Sequence, residues 1–124
     1  MASGAELTRF IASSFRSVWA LEVLGELRRN PDKDLAPQEL VTALRASDLI
    51  VRQSLIELAA AGLVQIGPDG AARYAPATRD LDKLVAAVEA RYASAPNAVR
   101  RIIIKAANPD VTAFADAFRL RDKP

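Results

Sequence analysis

The chain has 124 residues, 51% of them hydrophobic and 26% charged, the balance of one folded domain rather than of a disordered tail. It contains no cysteine and no histidine, which excludes a disulfide framework, a thiolate zinc site, a thiol nucleophile and an imidazole base together. Seventeen basic against fifteen acidic side chains leave a formal charge of +2, so any affinity for nucleic acid must come from a local patch.

The opening MASGAELTRF has no apolar core followed by a small-residue cleavage site, so no secretory leader is expected. No apolar run approaches the roughly 18 residues of a membrane span. With cysteine absent, these features fit a cytoplasmic protein.

Residues 6–29 contain no proline and only Gly25 as a glycine, and Leu7, Phe10, Ile11, Phe15, Val18, Trp19, Val23 and Leu27 recur at threes and fours. The pattern predicts one long first helix ending at Asn30-Pro31, since the residue before a proline is pushed out of helical geometry. Its polar side, Arg16, Glu22, Glu26 and Arg29, is narrow, so other elements should wrap it. Trp19, a large aromatic within the apolar repeat, is expected in the core. Glu22 and Glu26 lie one turn apart, but a bare carboxylate pair without His or Cys reads as a solvated face, so no metal site is expected.

After the polar loop NPDKD, Pro37 sits where a first helical turn has no use for its missing N–H, and a short helix runs to about Arg45. Ser47 can cap a third helix, DLIVRQSLIELAAAG, with Val51, Leu55 and Leu58 inward and Gly62 as a left-handed stop. Leu63, Val64, Gln65 and Ile66 then alternate like a strand. Gly67, Pro68, Asp69 and Gly70 form a turn cluster, and Ala71, Ala72, Arg73, Tyr74 and Ala75 return as the partner. Residues 79–120 read as helices again: 80–93 with Leu81, Leu84, Val85, Val88 and Tyr92 on one face, 97–107 with Val99, Ile102, Ile103 and Ala106, and 109–120 with Val111, Phe114, Ala115 and Phe118.

Helix, short link, helix, tight turn, helix and hairpin is the order of a winged helix-turn-helix. Residues 36–76, APQELVTALRASDLIVRQSLIELAAAGLVQIGPDGAARYAP, resemble the central segment of MarR-like and ArsR-like bacterial regulators. There too a proline- or threonine-started helix, a Ser-capped recognition helix, an AAGLV exit and a Gly-Asp wing follow one another. The resemblance covers about a third of the chain. It implies a mainly α fold with a small β-hairpin (α+β), in which the winged helix-turn-helix is flanked by a long N-terminal helix and additional C-terminal helices within a single domain, 1–124. It also implies a regulator that binds double-stranded DNA as a homodimer, with the terminal helices forming the subunit interface.

With Val51, Leu55 and Leu58 inward, the third helix presents Asp48, Leu49, Arg52, Gln53, Ile56 and Glu57. Arg52 and Gln53 suit the guanine and adenine edges of the major groove. Arg45, Ser47 and Arg73 complete the expected DNA-binding set, although Arg45 equally complements a helix dipole and Arg73 equally reads as a solvated strand residue. Asp48 and Glu57 would face phosphates, and Leu49, Ile50 and Ile56 gain nothing from them. The alternative is therefore a winged-helix adaptor that binds a protein partner through Leu49, Ile50 and Ile56 and does not read DNA. Arg100, Arg101 and Lys105 form a second basic cluster, which reads as a solvated face, although Ile104 among them is an apolar residue that suits contact with another chain. No Gly-rich phosphate loop, paired acid and base or nucleophile constellation can be written, so neither catalytic residues nor a cofactor are expected.

Overall fold

The computed structural model describes residues 3–108, in the order α1 (Gly4–Ser14), α2 (Val18–Arg29), α3 (Pro37–Leu44), α4 (Asp48–Ala60), β1 (Val64–Ile66), β2 (Ala72–Tyr74), α5 (Arg79–Ser94) and α6 (Pro96–Ala107). The fold is mainly helical with one small antiparallel hairpin, in the winged-helix layout. The helix expected at 109–120, with Val111, Phe114, Ala115 and Phe118, lies outside the described residues.

The long first helix expected over 6–29 is two helices. Phe15 leaves α1 in extended geometry (φ −117°, ψ 114°), and Ser17 starts α2 by accepting the Ala20 N–H at 3.2 Å. A short hydroxyl side chain that satisfies an orphan helical N–H competes with continuing the helix. The break also lets Phe15, 1% exposed, drop edge-on against Phe10 with ring centroids 6.0 Å apart at 85°, a favoured aromatic geometry.

α2 packs against α3, α4 and β2, whereas α1 packs against α5 and α6. Leu24, Leu27, Leu40, Val51 and Leu58 close the core of the winged helix, and Ile11, Val85, Val88, Val99 and Ile103 close the helical layer behind it. All belong to one continuous cluster. Ala106, expected on the inner face of α6, is exposed, so that face ends at Ile103.

α3 begins at Pro37, and the Ala36 N–H donates to Glu39 Oε2 at 3.0 Å. α4 ends in a Schellman arrangement: Gly62 takes φ +78°, its N–H reaches Ala59 O and the Leu63 N–H reaches Leu58 O, both at 3.0 Å. Leu58 and Leu63, the apolar pair that accompanies this motif, are both fully buried. β1 and β2 pair Val64 with Tyr74, Gln65 with Arg73 and Ile66 with Ala72. Leu35, in the link between α2 and α3, adds an isolated bridge to Ala72 and extends the hairpin by one rung.

Candidate nucleic-acid interface

The turn between α3 and α4 is made by Arg45, which closes α3 in the left-handed region (φ 54°, ψ 41°), and by Ser47, whose Oγ accepts the Ile50 N–H at 3.1 Å. The left-handed residue reverses the chain within one step. It leaves the Arg45 side chain exposed, with no ion pair among the described residues. The Ser47 hydroxyl acts as acceptor in the cap and keeps its own hydrogen to donate.

α4 buries Val51, Ser54, Leu55 and Leu58. Leu49, 65% exposed, and Ile56, 66% exposed, lie on the outer face together with Arg52 and Gln53. Their spacing at i, i+3, i+4 and i+7 makes them one stripe. Two of the residues expected at the crest are not there. Ile50 is half-buried, because it follows the cap and turns toward the flank. Glu57 is also half-buried, with Oε2 shielded from solvent, so it lies beside the stripe and does not confront phosphates.

Two of the expected DNA contacts are held by acids. Arg52 Nε donates to Asp48 Oδ2 at 2.8 Å, one turn back on the same helix, and Arg73 Nε on β2 donates to Asp34 Oδ1 at 3.0 Å. In both arginines Nη1 and Nη2 have no hydrogen-bond partner among the described residues. All four side chains are about half exposed, so each pair contributes no more than about 1 kcal/mol to stability. At the tip of the wing, Asp69 Oδ1 accepts the Ala71 N–H at 3.1 Å and shapes the turn. Around α4 and the hairpin, Arg45, Arg52 and Arg73 are thus matched by Asp34, Asp48 and Asp69, and only Arg45 among the three cations lacks an acidic partner.

A second polar assembly, which no local sequence pattern marks, lies on the far side of α2. Trp19, expected in the core, is 37% exposed. Val23 and Leu27 are buried as expected, with Ala20, Leu21 and Leu24 beside them, but Trp19, in the first turn of α2, is not. With Val18, Glu22, Leu44, Tyr92 and Arg100, Trp19 lines an open cleft of about 290 Å³. The Tyr92 hydroxyl donates to Glu22 Oε1 at 2.6 Å, and the Arg100 guanidinium sits 5.5 Å from the Tyr92 ring centroid. Burial, and then the bond to Glu22, raise the Tyr92 pKa above that of a free phenol. Glu22 is therefore an acceptor for a tyrosine, a role that needs the contact between α2 and α5 to be known. On α6, Arg101 and Lys105 are exposed and Ile104 among them is 55% exposed. No described helix is long and apolar enough to cross a membrane, and no trio of metal-ligating side chains occurs among the described residues.

No family model matches the chain, and neither the curated proteins nor the solved structures contain a significant match to it.

Proposed function

We propose that the chain is a non-catalytic winged-helix regulator that binds double-stranded DNA by setting α4 in the major groove, with the hairpin along the phosphate backbone. The observation that carries this reading is the outer stripe of α4. Arg52 keeps two free amines, Gln53 stands beside it, and Leu49 and Ile56 flank them as apolar contacts for thymine methyls. The balance of Arg45, Arg52 and Arg73 against Asp34, Asp48 and Asp69 fits a protein whose affinity depends on base edges more than on phosphates. A homodimer in the cytoplasm is part of the reading. Ile104 on α6 is an apolar contact available to a second copy, and paired half-sites would follow from the two-fold axis.

The test is fluorescence anisotropy of the purified protein with random-sequence duplex at low and physiological salt, together with its mass in solution. Salt-dependent binding that disappears in the Arg52→Ala, Gln53→Ala double variant supports the DNA reader. No binding at low salt, either to the random-sequence duplex or to any duplex enriched from a randomised pool, overturns it.

The exposure of Leu49 and Ile56 on α4 favours one further reading, an adaptor that docks a protein through this apolar face. Under that reading, changes to Leu49 and Ile56 abolish partner binding and DNA has no effect.

A further inference from the structure

An arginine that reads a guanine needs two parallel N–H groups directed at O6 and N7. On α4, the acid one turn before Arg52 takes only Nε, at 2.8 Å, and leaves Nη1 and Nη2 unused. Building on the DNA-binding reading, we propose that Asp48 is a positioning residue. It holds the plane of the Arg52 guanidinium so that its two terminal amines meet a guanine, which makes each half-site guanine-dependent.

Three features of the site support this assignment. The guanidinium is planar and rigid, so fixing Nε fixes the direction of the remaining donors, and part of the rotational freedom lost on docking is given up beforehand. The side chains of Arg52 and Asp48 are 58% and 55% exposed, too solvated for the pair to matter greatly to the fold. Finally, Leu49 and Ile56 stand three residues before and four after Arg52 on the same exposed stripe, so the guanine is expected beside thymines whose methyl groups these side chains cover.

Asp48 also carries a negative charge toward the duplex, which weakens contact with any phosphate regardless of sequence. Positioning and repulsion therefore move selectivity and bulk affinity in opposite directions when the acid is neutralised. A residue present only to complement the positive end of α4 would, when replaced, change the melting temperature and the bulk affinity but not the discrimination at guanine.

The experiment is selection from a randomised duplex pool by the wild-type protein and by Asp48→Ala, which removes the acceptor as well as the charge. Anisotropy titrations then follow on the enriched duplex and on the same duplex with each guanine changed to adenine. The wild type should enrich a half-site with a fixed guanine and lose about tenfold or more in affinity when it is replaced. Asp48→Ala should bind unselected duplex at least as tightly as the wild type while discriminating at that guanine several-fold less. Arg52→Lys, which keeps the charge and loses the fork, should lose the same discrimination. If the wild type binds duplex but enriches no fixed guanine, or if Asp48→Ala discriminates as the wild type does, the positioning role is overturned and the regulator reading stands. Failure of the wild type to retain any duplex at low salt overturns both.

Discussion

Leu35 and Ala72 exchange two backbone hydrogen bonds, each of 2.8 Å, across 37 positions of chain. This rung ties the wing to the link between α2 and α3, so the hairpin has an anchor beyond its own three-residue strands. Two isolated strands of that length are marginal on their own. Leu35→Pro removes the N–H that reaches Ala72 O and leaves that carbonyl short of a donor next to a fully buried residue. The expected loss is about 1–3 kcal/mol in urea unfolding, with faster hydrogen exchange at Gln65 and Arg73. An unchanged midpoint would show that the wing needs no third rung.

Ser17 is the residue that makes two helices from one apolar repeat. Replacing it with Ala should cost about 1 kcal/mol, whereas Gly should cost only a few tenths, because Gly at an N-cap leaves the turn accessible to water. Thermal melts followed by circular dichroism would separate the two. Equal melting temperatures for wild type and Ser17→Ala would mean that burial of Phe15 alone sets the break.

Alkaline pH should loosen the contact between wing and α5. Burial, and then the 2.6 Å hydrogen bond from its hydroxyl to Asp82 Oδ1, hold the Tyr74 pKa well above its ordinary value of 10.0. Tyr92 is raised in the same direction by burial and Glu22. The unfolded chain therefore releases these protons first. The stability they contribute is complete below about pH 10 and is lost as pH rises toward the folded-state values. Tyr74→Phe should lower the urea midpoint at neutral pH and should flatten its decline between about pH 9 and 11. A variant that declines as steeply as the wild type would place the alkaline sensitivity elsewhere.

Ile56 tests the outer face of α4 without touching the core. At 66% exposure, Ile56→Glu should leave stability within about 0.5 kcal/mol of the wild type. The added charge should weaken binding to every duplex, steeply so at low salt. Unaltered duplex binding would show that α4 does not enter a groove.

The winged-helix portion was legible because each boundary has a local chemical marker. Pro37 opens α3, Ser47 caps α4, Gly62 supplies the left-handed stop, and Gly67 to Gly70 turn the hairpin. The break at Phe15 was hidden because Phe15, Val18 and Trp19 keep the helical period across it, so periodicity outweighed the single clue in Ser17. The arginines are legible by residue type, but their carboxylate partners are not. Arg73 meets an acid 39 positions away, and residue type alone marks Asp48 as a charge near phosphates without showing that it accepts from Arg52. Trp19 keeps the period of Val23 and Leu27, which are buried, but it stands in the first turn of α2, next to the break, where the core no longer covers that face.

The partial exposure of Trp19 also gives the chain an optical probe of its own. It is the sole tryptophan, set beside Glu22, Tyr92 and Arg100 where α2 meets the helices behind it. Its emission follows the wetness of that cleft and the nearness of a quenching carboxylate. Apposition of a second copy, or a shift of α6 against α2 when α4 engages its target, should therefore change its colour and intensity without any added label.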